Sequence, residues 1–441
     1  MKILFSSLGC DKNLVDSEKM LSLLAEAGHE FTDDEEQAEA CVVNTCCFIG
    51  DAKEESINTL LHYASLKETG SLKLLIAAGC LAERYHKEIE DMIPEVDAIV
   101  GTASTEDIVH ALEEAGEGRH PVLFLRPLNE KPFASPKRNL SAPGYTAYLK
   151  IAEGCNKNCT YCIIPKVRGP YRSIPMENLL EEASSLAAKG VKELILVAQE
   201  TTLYGQDLYG RKSLAELLTK LNDIEGLRWI RVLYCYPEEI DASLISALKK
   251  LPKVLPYLDL PIQHCSDGIL KQMGRRTSQK ELLTLINTLR KELPEICLRT
   301  TLIAGFPGET EEEHEECLQF IKEAGFDRLG VFPYSREEGT PAAKMTGQVH
   351  WKTKERWKNE LLALQQELVF AKNESFKGKT MEVLIEGSLP EQPGIYVGRT
   401  YRDAPEVDGM VFVQSDRELI SGDLVKVLIE EARGYDLAGR I

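Results

Sequence analysis

The sequence predicts an α/β chain in three parts: a doubly wound parallel sheet, an open (βα)6 partial barrel and a small all-β barrel. Three observations lead there. Over residues 1–118 short apolar strand candidates alternate with amphipathic helix candidates. A second alternation with six strand candidates starts at Tyr145. From Gly378 the helical pattern stops, and short strand candidates separated by turn residues take over.

In the first part, Ile3–Leu8 reads as a strand. Asp16 and Ser17 are placed to cap a helix with Met20, Leu21, Leu23, Leu24 and Ala25 on its apolar stripe, stopping at Gly28. Ala40–Val43, a helix over about 51–66, Leu74–Ala77, a helix over about 81–92 and Asp97–Val100 continue the series. Cys10, Cys46 and Cys80 each follow a strand, at separations of 36 and 34 residues, one strand–helix unit apiece. The carboxyl ends of parallel strands form the crevice where such sheets bind ligands, so three thiols are expected to converge there. The alternative is three cysteines packed as small apolar side chains. Cys41, inside a strand, reads as core, whereas Cys47 is open to either reading.

Residues 119–144, with Pro121, Pro127, Pro132, Pro136 and Pro143, have linker composition. Residues 145–376 follow, with strands expected at about 147–152, 192–198, 229–235, 256–262, 297–304 and 328–334. A helix over 176–188 stops at Gly190, and a polar helix covers about 352–375. Six units are fewer than the eight of a closed TIM barrel, hence an open one. In residues 377–441, Met381–Ile385, Gly394–Val397, Met410–Val413 and Asp423–Val427 read as strands of a small barrel.

Composition narrows the function classes. The 441 residues carry 52 basic and 70 acidic side chains, a net charge of −18, which argues against broad coating of nucleic acid and favours a basic partner. No run approaches the ~20 apolar residues that span a bilayer, so no membrane role is expected. The stretch Met1–Cys10 is too short and too weakly cationic for an export signal, which points to the cytoplasm. There thiols stay reduced, and twelve cysteines call for metal, iron–sulfur, catalytic or packing roles.

The most informative segment is Cys155-Asn156-Lys157-Asn158-Cys159-Thr160-Tyr161-Cys162, on a loop just past a strand. Zinc sites are normally closed by four ligands in two pairs, whereas this loop has three thiols and no nearby fourth. Three thiolates suit a four-iron cluster with one iron left open. The Cys-x3-Cys-x2-Cys pattern, with an aromatic before the last cysteine, resembles the radical S-adenosylmethionine (SAM) superfamily. That resemblance implies SAM chelated at the open iron and cleaved to a 5′-deoxyadenosyl radical that abstracts hydrogen from carbon. Gly9-Cys10-Asp11-Lys12-Asn13, Asn44-Thr45-Cys46 and Gly79-Cys80-Leu81-Ala82 are similar to the amino-terminal domain of methylthiotransferases, and the last part resembles a TRAM module.

The resemblance spans essentially the whole chain and implies two 4Fe-4S clusters, on Cys10, Cys46 and Cys80 and on Cys155, Cys159 and Cys162, with two SAM molecules used. It implies a reductant such as flavodoxin or ferredoxin and a sulfur donor, and places SAM contacts at Gln199 and Glu200. Gly305-Phe306-Pro307-Gly308 is either a close approach to that cofactor or a strand–helix turn capped by Thr310. Lys166 and Arg168 either neutralise carboxylates or are solvated, and His264, with Pro261 and Gln263, reads as scaffold. No further catalytic residue stands out.

Two substrate classes occur in the family: a tRNA adenosine and an aspartate of protein twelve of the small ribosomal subunit. Residues 378–441 hold seven basic and twelve acidic residues, net −5, which disfavours RNA and suits a basic protein, although a local basic face would escape such a count. Gly398–Gly409 also resembles the ribosomal-protein branch more than the tRNA branch. The expectation is therefore methylthiolation of the aspartate β-carbon. A non-catalytic iron–sulfur protein and an RNA-binding TRAM protein are the readings from other classes.

Overall fold

The computed structural model describes residues 1–70, 72–118, 121–140 and 144–441; Pro143 and the ends of the proposed linker lie outside the described residues. The first sheet is built from β1 (Lys2–Ser7), α1 (Asp11–Glu26), β2 (Glu30–Phe31), β3 (Ala40–Thr45), α2 (Gly50–Glu68), β4 (Leu74–Ala78), α3 (Gly79–Arg84), α4 (His86–Met92), β5 (Ala98–Val100), α5 (Ile108–Gly116) and β6 (Val122–Phe124). Its six strands are all parallel, in the order β2-β1-β3-β4-β5-β6. Apolar side chains cover both faces: Cys41, Val43, Leu75 and Ala77 pack on one, Val42, Ile76 and Ala78 on the other. That two-sided burial is why β3 and β4 read as unbroken apolar runs.

Three details depart from expectation. Helix α1 starts at Asp11 with Cys10 as its N-cap, so Asp16 and Ser17 lie inside the helix rather than capping it. The 81–92 helix is two short ones, divided at Tyr85. Edge strand β6 falls among residues that composition assigned to the linker, since proline is tolerated beside an edge strand.

The second part contains β7 (Thr146–Lys150), α6 (Ile164–Val167), α7 (Met176–Ala188), β10 (Glu193–Val197), α8 (Gln206–Tyr209), α9 (Leu214–Asn222), β11 (Trp229–Val232), α10 (Ala242–Lys250), β12 (Val254–Asp259), α11 (Asp267–Gln272), α12 (Gln279–Glu292), β13 (Cys297–Ala304), α13 (Glu311–Ala324), β14 (Arg328–Pro333) and α14 (Trp351–Glu374), with β8 (Ala152–Glu153) and β9 (Arg172–Ser173) paired antiparallel as a separate short ribbon. Strands β7, β10, β11, β12, β13 and β14 pair in chain order, all parallel, and the first does not meet the last. Alternation along each strand sorts its two faces. In β10, Leu194 and Leu196 face the helices, while Ile195 and Val197 face the concave side.

The third part is a closed barrel of β15 (Thr380–Ser388), β16 (Ile395–Arg399), β17 (Val411–Gln414), β18 (Leu424–Arg433) and β19 (Asp436–Arg440), around Val383, Ile385, Val411, Val413, Val427 and Ile429. Sequence reasoning found four of these strands and missed β19. Gly439 makes β19 look like a turn, yet a Cβ there would lie 2.2 Å from the Leu428 carbonyl, so close strand approach requires glycine.

This barrel sits at the amino-terminal edge of the open barrel. Leu384 and Ala404 pack with Ile195, Val197, Tyr257 and Cys297 on its concave face. Buried ion pairs seal the contact: Arg399 and Arg231 both donate to Glu193, at 2.7 and 2.8 Å, and Arg402 pairs with Asp327, Arg328 with Asp403. Both triads of cysteines therefore lie toward the opposite, carboxyl-terminal edge. Among the described residues no helix is long and apolar enough to cross a membrane.

Candidate iron–sulfur and SAM site

Each thiol of the first triad is placed by a strand end. Cys10 caps α1, Cys46 follows β3 and Cys80 lies in the first turn of α3, directly after β4. The three loops touch. Gly9, at φ +91°, lies so close to Cys46 that a Cβ would stand 2.9 Å from its sulfur, and Gly79, at φ +88°, leaves no room for a Cβ beside Asn44 and Thr45. Ser56 clamps Cys46 through two 2.9 Å hydrogen bonds, one to its N–H and one to its carbonyl. Cys10 is exposed, whereas Cys46 and Cys80 are buried. Burial pushes the Cys46 and Cys80 thiols up, and the neighbouring Cys10 adds to the rise in both. Cys47 donates to the Cys80 carbonyl at 3.1 Å and is part of the support.

The second triad occupies the loop after β8. Gly154 enters it at φ +77°, where a Cβ would lie 2.1 Å from the Pro170 carbonyl. Asn158 adopts φ +54°, and backbone bonds tie Thr160 to Met273 and Ala342. Tyr161 packs edge-on against Phe306, centroids 6.5 Å apart. The Cys159 sulfur lies 3.7 Å from the Tyr236 hydroxyl, and the Arg275 guanidinium covers the Tyr236 ring at 4.2 Å. Burial holds the Cys155 thiol up to about 11, with Glu200 and Cys159 adding to the rise, and Cys162 up to about 12, with Cys159 and Cys155 adding to it.

Three buried polar atoms beside this loop have no hydrogen-bond partner among the described residues. Gln199 donates to Glu153 at 2.8 Å, leaving its Oε1 buried and unpaired. Glu200 is fully buried; its Oε1 accepts from the Thr202 N–H at 2.9 Å, its Oε2 has no hydrogen-bond partner, and Lys157 Nζ lies 3.8 Å away. Burial raises the Glu200 carboxyl to about 7 despite Thr202 and Lys157. Arg275 Nε is a third unpaired atom. Buried orphans of this kind cost free energy unless a ligand satisfies them, so this donor set fits a polar cofactor.

The Gly305–Gly308 segment does not offer free backbone donors. The Gly305 and Phe306 N–H groups go to Glu309 at 2.6 and 3.0 Å, and the Gly308 N–H goes to Gly347. Thr310 forms a capping box with Glu313 on α13. This supports the turn reading, with Phe306 bracing the cluster loop. Lys166 is exposed, and its Nζ donates to the Gly339 carbonyl.

Arg168 ties Cys80 of the first triad to Glu153, two residues before the second. Buried at 2% exposure, it donates from Nε to the Cys80 sulfur at 3.3 Å, from Nη1 to Asp16 and Glu153, and from Nη2 to Asn13. Lys150 completes the group with Asp16 and Glu153. Ile163 and Val167, just past Cys162, pack into the apolar core of the first sheet. The carboxyl edges of the two sheets thus meet, with Tyr234 of the second donating to Asp11 of the first at 3.1 Å. Sequence reasoning missed Asp11, Asn13, Asp16, Glu153 and Tyr234. Asn13 and Asp11 stood in the motif around Cys10, but nothing in the sequence paired them with residues more than a hundred positions away.

An open six-stranded barrel with a three-cysteine loop at its carboxyl edge defines a radical SAM protein, one that binds an iron–sulfur cluster and SAM. Residues 149–321 match the radical SAM superfamily, residues 2–101 a family described as uncharacterized protein family UPF0004, and residues 378–441 the TRAM domain. The fold is shared with the radical SAM methyltransferase TsrM of Kitasatospora setae, solved with cobalamin and a [4Fe-4S] cluster (TM-score 0.59, 15% identity, 77% of this chain and 76% of that one). At the level of sequence the chain is similar to ribosomal protein uS12 methylthiotransferase RimO of Lachnoclostridium phytofermentans, 56% identical over 100% of this chain and 99% of the relative. RimO proteins of Pelotomaculum thermopropionicum and Clostridioides difficile are 49% and 47% identical over the same full span of this chain. The chain belongs to the RimO family of ribosomal protein uS12 methylthiotransferases.

Proposed function

We propose that this chain is a radical SAM transferase that places a methylthio group on the β-carbon of an aspartate of ribosomal protein uS12. In this reading Cys155, Cys159 and Cys162 hold one four-iron cluster and Cys10, Cys46 and Cys80 a second. The observation that carries it is the Arg168 side chain, which bonds Cys80 of the first triad and Glu153, two residues before Cys155 of the second, where the carboxyl edges of the two sheets face each other. The bound groups supply a carbon-centred radical and a sulfur to be methylated and transferred. The chain supplies position. Gln199 Oε1 and Glu200 Oε2 would accept hydrogen bonds from the bound SAM, Arg275 Nε would donate to it, and the Tyr161–Phe306 contact braces the loop. Arg168 and Lys150 bind the two sheets at a fixed distance through Asp16 and Glu153. An external reductant of flavodoxin or ferredoxin type and a sulfur donor complete the reaction, which belongs in the cytoplasm with its ribosomal substrate.

The acidity of the TRAM barrel supports a basic protein substrate, but not through Gly398–Gly409. There Arg399, Arg402, Asp403 and Asp408 are buried in pairs with the open barrel. Setting those four aside leaves five basic and ten acidic residues, still net −5. The test is anaerobic incubation of reconstituted enzyme with purified uS12 and, separately, with unmodified tRNA, followed by mass spectrometry. A methylthio gain on the uS12 aspartate is expected; a gain on tRNA alone would overturn the substrate assignment. The enzyme should hold about eight irons, and serine at Cys155, Cys159 and Cys162 should leave about half. Unchanged iron in that variant would refute the cluster assignment.

A further inference from the structure

Behind the SAM site lies a second cluster of sulfur and imidazole that the proposed reaction does not use. His264 and Cys265 follow β12, and Cys317 projects from α13. All three are essentially buried, at 1%, 0% and 2% exposure. The Cys265 and Cys317 sulfurs are 2.9 Å apart, inside ordinary sulfur–sulfur contact, and Cys317 lies 3.6 and 3.7 Å from the two His264 nitrogens. His264 Nε2 faces Glu309 at 3.3 Å.

These residues could hold a metal, but the geometry points elsewhere. They offer three donors, whereas a closed structural zinc site takes four. His264 Nδ1 accepts the Ser266 N–H at 3.0 Å, which assigns the ring proton to Nε2, toward Glu309. Neither nitrogen then presents a lone pair to the sulfurs, and Cys317, nearly equidistant from both, lies beside the ring rather than along a ligand direction.

We propose that Cys265 and Cys317 are a redox-active pair that closes reversibly to a buried disulfide behind the cluster loop. Bond formation needs the sulfurs to approach by a further ~0.9 Å, to the ~2.05 Å of a disulfide. The two thiols are unequal, as an attacking and a resolving thiol should be. Burial opposes ionisation of Cys317, yet the hydrogen bond from Cys265 outweighs it and brings Cys317 below the ordinary thiol range, while burial and Cys317 push Cys265 up. The oxidant is of the disulfide class, glutathione disulfide. The Cys317 thiolate attacks it and releases one glutathione thiolate. Cys265 then displaces the second, giving up its proton to that leaving group. Two protein thiols are oxidised and one glutathione disulfide is reduced to two thiols. Because both sulfurs are buried, exchange proceeds through local opening of α13.

The consequence is a covalent tie between the end of β12 and α13. Glu309 couples it to the site, since its Oε1 faces His264 and its Oε2 accepts the Gly305 and Phe306 N–H groups, with Phe306 packed on Tyr161.

The test equilibrates the anaerobically reconstituted holoenzyme with glutathione buffers of graded ratio, then unfolds it, alkylates free thiols and maps peptides without reduction. A Cys265–Cys317 linked peptide is expected, rising with the oxidised fraction, erased by dithiothreitol and absent from Cys317→Ser. Free, alkylated Cys265 and Cys317 at every ratio would overturn the proposal. So would one zinc per native chain that is lost in Cys317→Ser. Because the readout is on the wild-type chain, it stands even if the variant folds poorly.

Discussion

At the residue scale, Arg168 concentrates the most consequence in one side chain. Two buried carboxylates, Asp16 and Glu153, share it with Lys150, and its Nε reaches the Cys80 sulfur. Removing one partner from a buried ion group leaves an uncompensated charge, at a cost of about 3–5 kcal/mol. Arg168→Ala should therefore unfold at distinctly lower temperature or urea than wild type, and an unchanged midpoint would show the group to be dispensable. Glu200 makes a different prediction. Glu200→Gln keeps the shape but, at about pH 8 where a carboxyl held up to about 7 is mainly ionised, removes a charge-assisted acceptor of about 1.5–3 kcal/mol, so SAM affinity of the reconstituted enzyme should fall roughly 10- to 100-fold with iron content unchanged. Equal affinity by equilibrium dialysis would remove Glu200 from the SAM site. Both residues show how far sequence reaches. The placement of the six cysteines just past strands was legible because their spacing matches one strand–helix unit or one loop. The partners of Arg168 were not, because Asp16 is 152 positions away in sequence and only the docking of two sheets brings them together.

At the scale of elements, strand existence was legible wherever a strand is buried on both faces, as in β3, β4 and β10, whose apolar runs stand out. It failed at edges and close approaches. β2 has two exposed residues, β6 lies among prolines, and β19 carries the glycine that its neighbour's carbonyl demands. The start of α1 was misplaced because its N-cap is Cys10, which makes no side-chain cap, while Asp16 and Ser17 looked like capping residues. In the structure their side chains serve contacts across the helix face instead, Ser17 to Ser7 and Asn44, Asp16 to Lys150 and Arg168. The cluster loop gives the element-scale prediction. Gly154 stands at φ +77° against the Pro170 carbonyl, so Gly154→Ala meets both backbone strain and a 2.1 Å overlap. The loop cannot keep its path, and reconstituted protein should retain about half its iron while its far-ultraviolet circular dichroism stays near wild type. Full iron loading would mean the loop tolerates a Cβ there.

At the scale of the whole molecule, the three parts are held by charge as much as by apolar packing, and this interface has a pH signature. Where the TRAM barrel docks, Glu193 and Asp327 are buried, which by itself would raise their carboxyls. Arg399 and Arg231 around Glu193, and Arg402 and Lys372 around Asp327, outweigh burial and hold both below the ordinary carboxylate range. A carboxyl depressed in the folded state stabilises it fully above its unfolded value, near 4. That stabilisation declines as pH falls below this value and is gone once pH has passed the folded values. Asp408, raised by burial against Arg328 and Arg299, works in the opposite sense and blunts the effect without reversing it, being one group against two. The TRAM barrel should thus undock on acidification before the open barrel, whose core is mainly apolar, loses its structure. Limited proteolysis should register this as cleavage near Gly378, absent at pH 7 and appearing below about pH 4. Glu193→Gln with Asp327→Asn should weaken docking at pH 7 and flatten its pH dependence. If the double variant kept the wild-type profile, the acid response would have to come from other carboxylates, and the buried pairs would be no more than packing.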